Sequence, residues 1–293
     1  MSHNQAENRI SMSPQTPVLI DKPPCLPALI GKLALKSSTY KLTDRLPALT
    51  SQKDLSIDPK HLATFKEVCG FKPGNAVPAT YLQVLAMPLV LNIMSNDQFP
   101  LRAMGMVHLR NTVSALSDFD QRLPINLCAS IGGSLLSSRG LEWDVDFTAR
   151  VDGQVVWSGA STYLHNCETG ISRREKPKLI RGDDPQEWFV PRGIGRRYGL
   201  VSGDCNPIHL SDLTARIFGF KAAIAHGMWS KTRCLAALED RLPGSGYRVD
   251  VDFHRPLFLP SQVNFYTKNL ETGMHFSLFN STGEKAYLTG LIT

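Results

Sequence analysis

The sequence lacks the closely spaced cysteines of a zinc site or a disulfide framework. Its 293 residues contain six cysteines, and no two of them form a CxxC pair. They are Cys25, Cys69, Cys128, Cys167, Cys205 and Cys234. Such spacing is typical of a reduced, cytoplasmic protein. Five histidines are equally scattered and indicate no metal site: His61, His108, His165, His254 and His275.

The chain also lacks a long hydrophobic run, an apolar N-terminal segment and a dense basic stretch. Its longest apolar run, residues 81–94, is interrupted by Gln83, Pro88 and Asn92, which favours a buried helix over a membrane span. A polar start to the chain predicts no signal peptide. The net charge of +6 comes from 32 Lys and Arg against 26 Asp and Glu, without an arginine-rich run. Nucleic acid is therefore not expected as a partner.

What is present is the composition of a globular protein, with 42% hydrophobic and 20% charged residues. Two halves share one order of patterns, in which an apolar helical segment precedes several alternating, strand-like runs. The helices are expected at about Thr80–Met94 and Gly227–Leu238. We predict a flexible or extended segment at 1–40, a first half at 41–165, a linker at 166–187 and a second half at 188–293. This repeat predicts an α+β fold, with each sheet wrapped around a central helix.

The segment Ser202-Gly203-Asp204-Cys205-Asn206-Pro207-Ile208-His209 places a carboxylate and an imidazole five residues apart. Asn is a favoured N-cap and Pro is accepted at the first helical position, so a helix is predicted to begin at Asn206-Pro207. Asp204 then lies in a tight loop and His209 in the first helical turn. Both side chains can point into one space, as a general acid and base must.

A second helix start follows at Ile224-Ala225-His226-Gly227-Met228. The first N–H groups of a helix have no partner within it and carry partial positive charge. Gly227 has no Cβ to keep a ligand from the backbone. A carbonyl oxygen bound there would be polarised as negative charge develops on it.

Each residue also has a plainer interpretation. Asp204 alone is more often a capping residue, His209 alone a surface histidine, and His226 alone a structural residue. Cys205 and His209 form an alternative nucleophile pair. Residues 193–199, Gly-Ile-Gly-Arg-Arg-Tyr-Gly, come close to a dinucleotide-binding loop but lack the required third glycine spacing and a preceding strand.

Taken together, these motifs resemble the hydratase signature of the MaoC-like family, the (R)-specific enoyl-CoA hydratases. The resemblance rests on Ser202-Gly203-Asp204, Asn206-Pro207-Ile208-His209, Gly219-Phe220 and Ile224 to Met228, followed by Pro256-Leu257-Phe258. It covers about residues 197–260. The first half has no counterpart of the motif, so the chain resembles the double hotdog form, in which an N-terminal hotdog without the catalytic motif precedes an active one.

The resemblance implies reversible hydration of a trans-2-enoyl thioester to an (R)-3-hydroxyacyl thioester, a hydro-lyase reaction of fatty acid metabolism. Asp204 and His209 would be the catalytic dyad, and the Gly227 amide would bind the thioester oxygen. The expected substrate-binding residues are Ser202, Asn206, His226, Met228, Tyr81 and Leu85. No metal and no cofactor are expected. Coenzyme A or acyl carrier protein would belong to the substrate, and the protein would be a monomer or homodimer.

Two other functions remain open at this point. One is a hotdog thioesterase that cleaves the acyl-CoA, and the other is a non-catalytic acyl-thioester-binding protein. Five cations are candidates for the phosphates of coenzyme A: Arg192, Arg196, Arg197, Lys221 and Arg233.

Overall fold

The structure, a computed structural model, describes residues 18–19, 32–33, 36–74, 76–103, 106–172, 179–182 and 184–293. Most of the segment predicted to be flexible, 1–40, lies outside the described residues. The first half contains these elements: β1 (Val18–Leu19), β2 (Leu49–Leu55), α1 (Pro59–Cys69), α2 (Ala79–Leu85), α3 (Met87–Ser95), β3 (Val107–Ala115), β4 (Ile125–Ser137), β5 (Gly140–Val151) and β6 (Gln154–Asn166).

The second half begins with β7 (Gln186–Val190), which starts within the last two residues of the predicted linker. The remaining elements are α4 (Ile194–Ser202), a 3₁₀ turn (Pro207–His209), α5 (Asp212–Ile217), α6 (Gly227–Ala237), a 3₁₀ turn (Glu239–Arg241), β8 (Tyr247–Phe253), β9 (Ser261–Leu270), β10 (Gly273–Asn280) and β11 (Ala286–Ile292). Among the described residues, no helix is long and apolar enough to cross a membrane.

The strands form one sheet in the order β1-β2-β4-β5-β6-β3-β8-β11-β10-β9-β7. Outward from the central antiparallel pair β3 and β8, the two halves have the same order, β3-β6-β5-β4-β2 and β8-β11-β10-β9-β7. The short β1 extends the first half by a parallel pairing with β2. The repeat read from the sequence is thus present in the topology, and the fold is the predicted α+β double hotdog, its two half-sheets joined edge to edge.

The helical segment of the first half is broken, unlike the single helix predicted for Thr80–Met94. Helix α2 ends at Leu85, and α3 begins at Met87 with Pro88 in its first turn. A proline within a helix has no N–H for the carbonyl four residues earlier, and its ring crowds that carbonyl. The chain therefore restarts at Ala86, and α3 presents a different set of side chains to the interior.

A buried lysine joins the helix of the second half to the central strands of both halves. Lys231 on α6 is 0% exposed. Its Nζ donates to Asn111 Oδ1 at 2.6 Å, to the Asn111 carbonyl at 3.1 Å and to the Val249 carbonyl at 3.1 Å. Asn111 lies on β3 and Val249 on β8, where the two strands pair. The amino group thereby fixes α6 over the junction of the halves.

Candidate active site

The loop that carries Asp204 is shaped by its own polar side chains. Helix α4 ends at Ser202, and the next residue, Gly203, has a φ of +73°, a conformation that favours glycine. The Asp204 N–H donates to Ser202 Oγ at 3.2 Å, and the Asn206 N–H donates to Asp204 Oδ1 at 3.3 Å. Asn206 in turn accepts from the Ile208 N–H and caps the 3₁₀ turn that contains His209. These contacts give Ser202 and Asn206 a role in fixing the loop.

Two glycines of α4 allow this loop to lie directly on the helix. A Cβ at Gly195 would be 2.1 Å from the His209 carbonyl oxygen, and one at Gly199 would be 3.0 Å from that of Asp204. A Cβ cannot lie 2.1 Å from an oxygen, so position 195 requires glycine, whereas a Cβ at position 199 would require a small shift of the loop. The glycine-rich segment 193–199, weighed in the sequence as a dinucleotide loop, is instead a helix that supports the loop.

His209 is buried, and a main-chain carbonyl of the segment before α6 fixes its ring. Its Nδ1 lies 2.8 Å from the Ile224 carbonyl oxygen, which can only accept a hydrogen bond, so Nδ1 carries the hydrogen and donates it. Nε2 is left with the lone pair of a neutral base. Burial lowers the pKa of His209, while the Asp204 carboxylate and the Ile224 hydrogen bond oppose that shift.

His226 stacks on His209, with ring centroids 3.6 Å apart. Its Nε2 donates to the main-chain carbonyl of Asp204 at 2.9 Å and lies 3.9 Å from the carboxylate Oδ2. Burial, reinforced by His209, lowers the pKa of His226 to about 3. His226 is therefore neutral and, although it was expected to bind substrate, its observed hydrogen bond holds the Asp204 loop.

Helix α6 begins at Gly227, next to both histidines. As its first residue, Gly227 has an N–H that the helix leaves without an acceptor. A Cβ here would be 3.1 Å from the ring of Phe253 on β8. The glycine thus permits close contact between the helix start and this ring, and it leaves the amide open to a ligand.

One cavity of about 410 Å³ joins these groups. Seven of the nine predicted site residues line it: Ser202, Asp204, Asn206, His209, His226, Gly227 and Met228. The first half supplies a mostly apolar wall from α2 and α3, formed by Gln83, Val84, Met87, Val90, Leu91 and Met94. Ligand pockets commonly combine such apolar lining with a few polar groups.

The prediction that Tyr81 and Leu85 line the cavity is wrong. Tyr81 is 0% exposed and packs against Phe65, and its hydroxyl shares a hydrogen bond of 2.8 Å with His61 Nδ1. Leu85 is half-buried against the core. Helix α2 presents Gln83 and Val84 to the cavity, so Tyr81 and Leu85 lie on a different face of the same helix.

Several polar residues that line the cavity were not selected from the sequence, among them His108, Arg139 and Arg255. Arg255 lies two residues after the end of β8, and this position was the available signal. Of the five cations considered for coenzyme A, Arg192 pairs with Asp212, Arg197 pairs with Glu67 and Arg233 stacks on Trp188. These three have local protein partners, and so does Arg139, which pairs with Glu142 at 3.3 Å, so Arg255 is the added candidate for contact with the substrate carrier.

A nucleophilic role for Cys205 is not supported by its surroundings. Its thiol donates weakly to the Gly199 carbonyl at 3.7 Å. Burial and the nearby Asp204 raise the pKa of the thiol, which opposes formation of the reactive thiolate.

Asp204, His209 and His226 offer ligand atoms within 4.8 Å of one another. The two imidazole planes are only 26° from parallel, so their lone pairs do not converge on one point. His209 Nδ1 and His226 Nε2 are also engaged with carbonyls. The arrangement fits proton transfer better than metal binding.

The chain is similar in sequence and in structure to several known proteins. Residues 193–287 match the model of the MaoC like domain. The 3-hydroxyacyl-thioester dehydratase X of Mycobacterium tuberculosis is 33% identical over 262 residues, covering 85% of this chain and 91% of that protein. The crystal structure of HtdX from the same organism has a TM-score of 0.72 at 29% identity, covering 83% of this chain and 98% of the other. The 3-hydroxybutyryl-CoA dehydratase of Methylorubrum extorquens is 32% identical over 84 residues, covering 29% of this chain and 46% of that protein.

Proposed function

Because this chain belongs to the MaoC-like dehydratase family, we propose that it catalyses the reversible hydration of a trans-2-enoyl thioester to an (R)-3-hydroxyacyl thioester. The observation that carries the proposal is the convergence of Asp204, His209 and Gly227 on one apolar cavity. The named relatives act as dehydratases, which supports a hydro-lyase.

In the proposed reaction, the thioester oxygen accepts a hydrogen bond from the Gly227 N–H. His209 Nε2 takes a proton from water while the water oxygen bonds to C3, and the C2–C3 π electrons move toward the thioester oxygen. Asp204 accepts a hydrogen bond from the second O–H of the water, which stays on the new C3 hydroxyl, and so orients the attack. The enolate then re-forms the carbonyl as C2 takes the proton back from His209, so the acid and base are regenerated.

The same residues support a reaction without a metal or organic cofactor. The developing negative charge is placed on the substrate's own oxygen, where the partial positive charge at the start of α6 stabilises it. Coenzyme A or acyl carrier protein is then not a leaving group. The thioester bond stays intact, and the carrier only presents the acyl chain to the site. We propose that Arg255, which lines the cavity, contacts this carrier.

The test is hydration of crotonyl-CoA by the purified protein, followed by chiral analysis of the 3-hydroxybutyryl product. We expect loss of enoyl absorbance and formation of the (R) product without release of free thiol. Thiol release at the rate of substrate loss would instead identify a thioesterase. Absence of turnover across a series of enoyl chain lengths, on both coenzyme A and acyl carrier protein, would support a non-catalytic binding protein.

A further inference from the structure

A polar side chain interrupts the apolar wall that the first half gives to the cavity. Gln83 lies on α2 beside Val84, and it lines the cavity although it is only 4% exposed. It is the fifth residue of α2, as Lys231 is the fifth residue of α6, so the two hold equivalent positions in the repeated halves. Both contact the side-chain amide of Asn111 on β3, two residues after a bulge in which Leu109 has no partner on β6.

The hydrogen bonds of Asn111 fix the direction of its amide group. Its Nδ2 lies 3.2 Å from the Ala160 carbonyl oxygen, which can only accept a hydrogen bond, so the NH2 group must face this side. Its Oδ1 accepts from Lys231 Nζ at 2.6 Å on the other side. Nδ2 also lies 3.1 Å from Ser161 Oγ and 3.4 Å from Gln83 Oε1. Turning the Gln83 amide round would bring two NH2 groups face to face, so Oε1 is the atom that meets Asn111.

The amide nitrogen of Gln83 is thereby left as an unused donor. Nε2 has no hydrogen-bond partner among the described residues, and it is not one of the fully enclosed unpaired atoms, so it keeps a surface open to the cavity. A buried donor without an acceptor is unfavourable, and a ligand that supplies the acceptor removes this penalty. Four other polar side chains that line the cavity have partners within the protein: Ser161, Tyr163, Tyr198 and Ser230.

Gln83 lies beyond the carbons that react. Lys231 is four residues after Gly227, or about 6 Å further along the axis of α6. Gln83 contacts the opposite end of the Asn111 amide from Lys231. This separation exceeds the distance from C1 to C3 of an acyl chain whose thioester oxygen is bound at Gly227. The donor therefore faces the later carbons of a bound acyl chain.

We propose that Gln83 is a specificity-determining residue whose Nε2 donates a hydrogen bond to an oxygen that the acyl chain carries beyond C3. This inference rests on the proposed function and names the preferred substrate class as enoyl thioesters with an oxygenated chain. A ketone, hydroxyl or ether oxygen fits, because each accepts through a lone pair. A plain alkyl chain leaves the donor unpaired.

The test compares trans-2-decenoyl-CoA with four analogues in which an ether oxygen replaces the methylene at C5, C6, C7 or C8. An ether oxygen accepts but cannot donate, and it is close in size to a methylene. The kcat/KM of each analogue is divided by that of the plain substrate, both in the unsubstituted protein and in Gln83→Met. Intrinsic reactivity and desolvation of an analogue are common to the two proteins, so the comparison isolates the contact.

For at least one position of the oxygen, we expect this ratio to be about tenfold lower in Gln83→Met than in the unsubstituted protein. In the unsubstituted protein the same analogue should exceed the plain substrate in kcat/KM. Gln83→Met keeps the length of the side chain and leaves Asn111 Nδ2 with its Ala160 and Ser161 acceptors. Its thermal stability should therefore equal or exceed that of the unsubstituted protein, since an unpaired donor is removed.

Two further variants make the result specific. Gln83→Leu repeats the comparison with a branched side chain and should lower the same ratio. Val84→Leu changes the volume of the same wall without changing its polarity, and it should leave all four ratios as they are in the unsubstituted protein.

Equal ratios in the unsubstituted protein and the Gln83 variants would overturn the inference, with solvent as the partner of the donor, and would leave the proposed function intact. Lower kcat/KM for all four analogues than for the plain substrate in the unsubstituted protein would also overturn it. An equal fall of the ratios in Val84→Leu would assign the effect to the shape of the wall instead. Failure of the unsubstituted protein to hydrate any of the enoyl thioesters would refute the proposed function.

Discussion

His209 and His226 stack at 3.6 Å between centroids, and each ring is tied to a different main-chain carbonyl. His209 is tied to Ile224, and His226 to Asp204. Two positive charges at this separation would repel strongly in a buried site. Burial and the adjacent His209 ring therefore keep His226 neutral, and in the proposed reaction His209 carries the proton that moves.

Removal of either dyad member should abolish most activity without unfolding the protein. For Asp204→Asn and His209→Ala we expect kcat on crotonyl-CoA to fall by about 10²–10⁴, the usual contribution of a general acid or base. Asp240→Asn changes an exposed carboxylate that pairs with Lys72 at the surface and serves as the control. Near-normal turnover by both dyad variants, each shown to be folded by circular dichroism, would contradict the assignment.

The buried histidines predict a loss of stability in mild acid. Their folded-state pKa values, about 3 for His226 and about 4 for His108, lie below the ordinary 6.5. The unfolded chain therefore binds more protons below pH 6.5, so the stabilisation is complete above that pH and is lost as the pH falls toward the folded-state values. Between pH 7.5 and 5.5 we expect the free energy of unfolding to fall by about 1 kcal/mol for each of the two residues.

Urea denaturation at the two pH values measures this effect. His226→Phe removes one of these groups and should make the decrease smaller by about 1 kcal/mol. A free energy of unfolding that stays constant or rises on acidification would be inconsistent with two buried neutral imidazoles.

Gly195 should tolerate no side chain, because its Cβ would lie 2.1 Å from the His209 carbonyl. Gly195→Ala must displace the 3₁₀ turn that carries His209. We expect a decrease in unfolding free energy of about 1–3 kcal/mol and at least a tenfold loss of kcat/KM. Gly193→Ala is the matched control, since a Cβ there meets no atom within 4 Å. Equal behaviour of the two variants would show that close contact between α4 and the loop is unimportant.

The acyl cavity should respond to residues of α3 and not to Tyr81. Val90→Phe adds volume to the wall and should lower kcat/KM for long-chain enoyl-CoAs more than for crotonyl-CoA.

Tyr81→Phe removes the hydrogen bond with His61, which also contacts the Val201 carbonyl of α4. We expect it to destabilise the protein by about 1 kcal/mol with an unchanged chain-length profile. A shift of the profile in Tyr81→Phe alone would restore the original sequence prediction for this residue.

The parts of the site that could be predicted are local in sequence. Asp204, Asn206 and His209 lie within six residues, and their cap and turn signals act over the same distance. Gly227 follows from a helix start that is equally local. The repeat of helix and strands was visible for the same reason, since each half carries its own pattern.

The parts that could not be predicted depend on register and packing. Pro88 was noted as an interruption of an apolar run, but its effect on which residues face the cavity required the position of α3. The bulge at Leu109 has no glycine or proline to mark it, so His108 was one scattered histidine. The need for Gly195 arises from a carbonyl 14 positions away, which no local pattern contains.

At the junction that Lys231 bridges, β3 of the first half pairs with β8 of the second. Each of these strands thereby satisfies the backbone groups at the edge of the other half's sheet. A half expressed alone would present that edge with its full row of unpaired N–H and C=O groups. Within the chain, the half that carries the Asp204 and His209 loop is thus paired with the half that lacks this motif. Every chain therefore contains one copy of each half. Residues of the first half that line the cavity can be substituted while Asp204 and His209 in the second half stay unchanged.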